Sequence, residues 1–231
     1  MPLITVNDFA LLRGEIRMPR NGVMNGDLVI DTPTDISGPV TIKSDDGLFK
    51  LVGMAYREGP FLQHISMRFV GGAGGLDTVV PPKAFNGYTV RSILSDTLKA
   101  CGETLSSTTD STLLSIFLTK WVRLAQTGKD VIRELLDAAN GEAWRILPDG
   151  TFFATMNEPY PSVTPNTDFE LIKWDQSEGW AVIGCQQPFI LPGQSIVIND
   201  GTDVTYTKQI SYLVHSIEPD TIRTTLYFED T

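Results

Sequence analysis

The chain has 231 residues, with 18 Lys and Arg against 28 Asp and Glu, for a net charge of −10. Hydrophobic residues make up 42% and charged residues 20%, ordinary globular usage that excludes disorder, collagen and coiled coil. An acidic chain whose basic residues do not cluster along the sequence repels phosphate backbones, so specific nucleic-acid binding is not expected.

Residues 1–80 read as strands and turns. Leu12, Gly14, Ile16 and Met18 alternate with Arg13, Glu15 and Arg17, the period of two of a half-buried strand. Pro19 and Asn21-Gly22 end it, and Asn25-Gly26 precedes a second strand over 27–31. Val40–Lys43 and Leu48–Val52 flank Ser44-Asp-Asp-Gly47, a hairpin signal because Gly takes a positive φ without steric cost. Phe61 to Val70 supplies a further strand, and this part predicts a small antiparallel barrel or sandwich.

Residues 81–157 change character. Val90, Ile93, Leu94, Leu98 and Cys101 fall on one helical stripe, predicting a helix over 89–101 that Gly102 stops. A second helix is expected over 128–140. Thr127 can cap the Asp130 N–H, the buried face is Val131, Ile132, Leu135, Leu136 and Ala139, and Asn140-Gly141 gives a left-handed exit. Trp144–Leu147, the Pro148-Asp-Gly150 turn and Thr151–Ala154 predict a hairpin over 143–155, packed with the helix around Trp144. Segment 111–125 suits a helix by its Leu114, Phe117, Trp121 and Leu124 spacing, and a strand by its β-branched and aromatic content.

Residues 156–167 hold three prolines and read as a linker. In 158–231 strands are expected over 169–174, 180–185, 195–199, 210–217 and 222–229, the last two joined by Glu218-Pro-Asp-Thr221. The fold class is therefore α+β, mainly β: two small antiparallel barrel-like regions flank a helix–helix–hairpin insert.

Candidates for chemistry are few. His64 and His215 both lie in strand patterns, and His215 sits between Leu213 and Ile217 on one face, which predicts a buried, hydrogen-bonded imidazole. Cys101 and Cys185 read as free, buried thiols rather than a disulfide. Gly71-Gly-Ala-Gly-Gly75 lacks the lysine, hydroxyl and following helix of a phosphate loop, so it reads as close backbone approach or a sharp bend. Asp45 and Asp46 occupy a hairpin tip. Glu142, Asp149 and Glu158 flank the central hairpin and could form a glycosidase pair. Trp121 and Trp144 are expected in the core, while Trp174 and Trp180 flank a polar turn and could offer a sugar platform. No catalytic, cofactor-binding or metal-ligating residue is assigned, because zinc and calcium spacings are absent. The first residues show no secretory signal and no run approaches ~20 apolar residues, so a soluble protein made in a cytoplasm, with no membrane span, is expected.

Several segments, in order, carry a resemblance to a known family. They are Leu12-Arg-Gly-Glu-Ile-Arg-Met-Pro-Arg-Asn-Gly22 with Gly26-Asp-Leu-Val-Ile-Asp31, and Gly71–Leu76 with Tyr88-Thr-Val-Arg-Ser-Ile-Leu94. Asp130-Val-Ile-Arg-Glu-Leu-Leu136 with Trp144-Arg-Ile-Leu-Pro-Asp-Gly150 is the most specific; Leu191-Pro-Gly193, Val214-His-Ser-Ile217 and Arg223-Thr-Thr-Leu226 complete the set. Together they resemble the baseplate hub proteins of contractile-tailed phages, especially the Mu-type hub. The resemblance implies a structural, non-enzymatic virion protein of the tail baseplate, assembled in the host bacterial cytoplasm and needing no cofactor. It further implies a homotrimeric ring whose two barrels per chain match a hexameric tail tube to a trimeric spike, among other baseplate proteins. DNA would pass through the ring, past acidic walls. The chain is short for that family, which leaves open whether the C-terminal β region closes into a complete barrel. The alternatives are a glycan- or receptor-binding tail module resting on Trp174 and Trp180, and a cell-wall hydrolase resting on Glu142 or Glu158.

Overall fold

The computed structural model describes residues 4–33, 36–61, 64–158, 162–164, 170–184, 190–199 and 205–228. The chain divides into two compact units, Met1–Val70 with Tyr160–Thr231, and Gly71–Pro159. Both β regions expected from the sequence thus contribute to one unit.

That unit begins with a hairpin, β1 (Ile4–Val6) and β2 (Phe9–Pro19), turned by Asn7 and Asp8 at φ 46° and 73°. Two successive left-handed residues give a turn whose twist suits its strands. Next come β3 (Asn25–Ile30), β4 (Gly38–Ser44), β5 (Lys50–Phe61) and β6 (His64–Gly71). Pairing runs β1-β4-β5-β6-β3-β2, and β2 pairs back to β1, which closes a six-stranded barrel. Closure satisfies the edges that an open sheet would expose. Val6, Ile16, Leu28, Ile30, Ile42, Met67 and Phe69 fill it, each at most 1% exposed.

The alternation expected along β2 holds only in part. Ile16 and Met18 point inward as expected, but Leu11 is buried in place of Leu12. The register against β3 slips between Leu11 and Arg13, and such a bulge moves the inward phase by one residue.

The second unit opens with β7 (Val79–Val80), β8 (Lys83–Thr89) and α1 (Val90–Cys101). Thr89 caps α1, and Gly102, at φ 76°, ends it. Both alternatives for 111–125 are realised in succession. Asp110 caps the short helix α2 (Ser111–Ser115), and β9 (Phe117–Arg123) then pairs β8, with Phe85 opposite Trp121. After β10 (Gln126–Thr127), α3 (Gly128–Ala138) buries Val131, Ile132, Leu135 and Leu136 as its period requires. Asn140, at φ 53°, makes the left-handed exit, and the hairpin β11 (Ala143–Ile146) and β12 (Phe152–Thr155) follows.

The chain then returns to the first unit. Where a linker was expected, Val163 bridges Ile196, donating its N–H to Ser195 at 2.8 Å and accepting from Val197 at 2.9 Å. Cys185 lies outside the described residues. The remaining strands are β13 (Glu170–Asp175), β14 (Trp180–Gly184), β15 (Ser195–Asn199), β16 (Thr205–Glu218) and β17 (Thr221–Phe228). β16 pairs β17 through 210–218, β15 through 205–209 and β2 through 212–217. The pairing continues β2-β16-β17-β14-β13, so the barrel and the C-terminal strands form one sheet. Among the described residues no pairing closes β13 onto β15.

His215 lies on the inner face of β16, 2% exposed, between Leu213 and Ile217. Its Nδ1 is 2.8 Å from Thr224 Oγ1, and the Phe49 ring meets it edge-on at 5.4 Å. Its Nε2 has no hydrogen-bond partner among the described residues. Burial pushes the imidazole down to about 4, because a charge here would lose its hydration.

Two outcomes are expected. Gly53 on β5 faces the Val70 carbonyl and the Phe69 ring so closely that a methyl group would collide with both. Gly53→Ala should therefore destabilise the barrel by about 1–3 kcal/mol, read as a lower urea midpoint; an unchanged midpoint would mean a looser barrel. The second concerns pH. His215 is neutral when folded and takes up a proton near 6.5 when unfolded, so stability should fall as pH drops from about 6.5 toward 4. The loss is on the order of 3 kcal/mol, and His215→Gln should flatten that part of the profile.

Candidate functional site

The residues with chemical potential in the insert are committed to holding it together. Arg145 is 2% exposed, while its neighbour Trp144, expected at the centre of the unit, is half-buried and stacks on Phe152 at 5.8 Å. The helix–hairpin unit is thus organised around Arg145 rather than Trp144. Arg145 grips both Glu158 oxygens, at 2.9 and 2.8 Å, and its guanidinium lies 4.9 Å from the centre of the Phe153 ring. A two-pronged bond to a carboxylate is the geometry for which guanidinium is built, and it lets both charges be buried.

That pairing removes Glu158 from the glycosidase set. Asp149 is used as well, accepting from the Thr151 N–H at 2.9 Å and its hydroxyl at 2.7 Å to fix the hairpin turn. Glu142 is exposed. Glu158 and Asp149 are thus both engaged in structural contacts of the insert.

The glycine-rich loop binds an anion, but one belonging to the chain. Its N–H groups at Ala73 and Gly75 donate to the two Glu103 oxygens at 2.9 and 3.0 Å. Gly72, at φ 73°, approaches Glu103 so closely that a Cβ would sit 2.5 Å from its carboxylate oxygen. Burial pushes the Glu103 carboxyl above its ordinary range, against the backbone donors that pull it down. Close backbone approach, the reading made from the sequence, is what the loop provides.

Arg123 is likewise buried, at 2% exposed. It donates to the Pro81 carbonyl at 2.8 Å, to Asp96 at 2.9 Å and to Thr97 Oγ1 at 3.1 Å. Lys83 shares Asp96 at 2.5 Å, so one carboxylate on α1 anchors both strands of the β8–β9 ribbon. These two bonds hold the Asp96 carboxyl below its usual range despite partial burial.

The remaining candidates do not converge. His64 Nδ1 is 3.2 Å from Asp31 at one end of β6. The Cys101 thiol is buried beneath Gly128 and pushed up by burial, which makes it a poor nucleophile. Asp46 accepts from the Ser44 hydroxyl and the Leu48 N–H, and so shapes its hairpin tip. Among the described residues no three His, Cys, Asp or Glu side chains gather closely enough to hold a metal ion. No described helix is long and apolar enough to cross a membrane.

Surfaces remain. On the C-terminal strands Trp180 stands opposite Tyr227, and Tyr227 opposite Tyr212, with the two tyrosine rings 5.6 Å apart. Lys173 Nζ lies 4.9 Å from the Trp180 ring centre and Glu178 accepts its indole N–H at 2.7 Å, while Trp174 leans on Tyr206. In the insert the β8–β9 ribbon exposes Tyr88, Phe117 and Val122, with Leu124 just beyond its end. Trp121, expected in the core, is half-buried on this ribbon against Phe85, at 5.7 Å. Sequence reasoning missed the ribbon because Gly87, at φ 73°, interrupts the alternation of β8. The available signal was the run Phe117-Leu-Thr-Lys-Trp-Val-Arg123, strand-like in composition.

No protein-family model matches the chain, and no curated protein sequence matches it. Solved structures do. A Shewanella oneidensis protein described as the 43 kDa tail protein of prophage MuSo2 superposes with a TM-score of 0.71 at 10% identity, over 99% of this chain and 97% of that one. A tail protein of Neisseria meningitidis gives 0.68 at 13% identity, over 99% and 96%. An Escherichia coli component of the type VI secretion system, described as structurally similar to T4 bacteriophage tail proteins, gives 0.71 at 10% identity, over 98% and 77%. The closed barrel, the continuation of its sheet and the inserted helices are thus the fold of phage tail proteins and of a type VI secretion component.

Proposed function

We propose that the chain is a structural hub protein of a phage tail baseplate and not an enzyme. The observation that carries this reading is the likeness, over almost the full length of both chains, to two proteins described as tail proteins. The way the polar residues of the insert are spent on internal pairs supports it, since Arg145, Glu158, Glu103 and Arg123 act as fasteners. Fold likeness alone does not specify function, so the internal pairing of these residues is what adds support to it.

In this reading the hub is a homotrimer that adapts a hexameric tail tube to a trimeric spike, beside other baseplate proteins, in a virion assembled in the host cytoplasm. A second barrel built from the C-terminal strands would give each chain two, which suits three copies to a six-fold neighbour. The Met1–Val70 and Tyr160–Thr231 unit carries ten Lys and Arg against eighteen Asp and Glu, a net of −8. A wall of that sign lets DNA slide past without sticking.

Light scattering of the purified chain across concentration tests the ring, with a mass near three chains expected. A strict monomer, both alone and after co-expression with a trimeric spike, would overturn it. Replacing exposed carboxylates of the acidic unit, such as Asp45, Glu218 and Asp220, with lysine should slow DNA ejection from assembled particles. Unchanged ejection would remove the electrostatic part of the proposal.

A further inference from the structure

We propose that the β8–β9 ribbon is the surface by which one copy of the chain grips the acidic β unit of the next. This rests on the ring reading above and names the surface that builds it. Three observations on the ribbon agree.

The first is its open backbone. β8 and β9 form a two-stranded sheet with no third strand among the described residues, so their outer edges can pair further. The second is its apolar exposure: Phe117 is 62% exposed, Val122 and Leu124 58%, and Tyr88 48%. Single exposed apolar residues are ordinary, but here Tyr88 and Val122 share one ribbon face with Lys120, Phe117 stands on the other, and Leu124 follows just beyond the end. The Phe117 ring lies over Gly87, itself exposed, so the core does not use it.

The third observation is charge. Lys83 and Lys120 are exposed on the ribbon, which carries no acid, and α1, to which Asp96 and buried Arg123 tie it, adds exposed Arg91 and Lys99. Four exposed basic residues against one acid, Asp96, stand out in a chain of net −10. The fold gathers here what the sequence scatters. The complementary surface belongs to the same chain, in the unit of net −8. A basic surface on one unit and an excess of acid on the other specify a head-to-tail contact between copies, and such contacts form a ring when the rotation closes. Aromatic anchors within a basic rim also fit the composition of protein interfaces.

Light scattering of the full chain, run as a concentration series at low and high salt, tests this with two variants. The double variant Phe117→Ser/Val122→Glu should stay monomeric where the wild type assembles. Lys120→Glu, at an exposed position that leaves the fold intact, should weaken assembly at least tenfold and reduce its salt dependence. Carbodiimide cross-linking of mixed isotopically light and heavy chains should join Lys120 to a carboxylate in residues 1–70 or 160–231 of a different copy. Wild-type assembly with both variants unchanged would overturn this surface and leave the ring reading standing. Cross-links from Lys120 only to the insert of another copy would overturn the assigned partner. A wild type that never assembles, with or without a spike, would overturn both readings.

Discussion

A β-strand has two edges, and β2 is paired by three strands. β3 takes one edge through 11–17, while on the other β1 holds Phe9 and Ala10 and β16 holds residues 14–19. The first two pairings close the barrel; the third carries its sheet onward into the C-terminal strands. β16 mirrors the arrangement, giving 205–209 to β15 and 212–217 to β2. In each long strand a register irregularity falls near the changeover, at Leu11/Arg13 and at Ile210/Tyr212. A bulge increases local twist and redirects a strand, which is what passing an edge from one partner to another demands. The inner face stays continuous across the junction, with Ile16 opposite His215 and Met18 opposite Leu213.

The insert solves a different problem. It has three helices, none longer than 12 residues, and three two-stranded sheets, each too small to be stable alone. Buried ionic and anion-binding contacts join these pieces across sequence. Arg123 reaches from β9 to α1, Arg145 from the hairpin to Glu158, and Glu103 gathers the glycine loop. A lone buried charge is costly, so each such contact favours the arrangement in which both partners are present.

What was legible in the sequence was local. The stripes of α1 and α3, the Thr127 cap, the Pro148-Asp-Gly150 turn and the buried His215 all depend on neighbours within a few residues or on one strand face. The inward phase of β2 was misread at Leu12 because a bulge leaves no mark in an alternation pattern. Arg145 was passed over for Trp144, since a charged residue enters the core only when a partner 13 positions away is known to meet it. The union of the two β regions was invisible for the same reason. Arg17 pairs with Val214 across about 200 residues, and nothing near either one announces the other. The exposed ribbon was hidden by Gly87 on one strand and by the helix-like spacing of 111–125 on the other.

The distance between β2 and β16 has a consequence during synthesis. The six strands of the barrel lie within the first 71 residues and can close while the rest of the chain is still being made. The far half of the β2 edge, residues 14–19, then waits for β16. At roughly 5–20 residues per second, translating from the end of β6 through the part of β16 that pairs β2 takes about 7–30 s. For that interval each nascent chain presents an unpaired strand edge to every neighbour on the same message. Chaperone demand should therefore be set less by the stability of the finished protein than by how long this edge stands open.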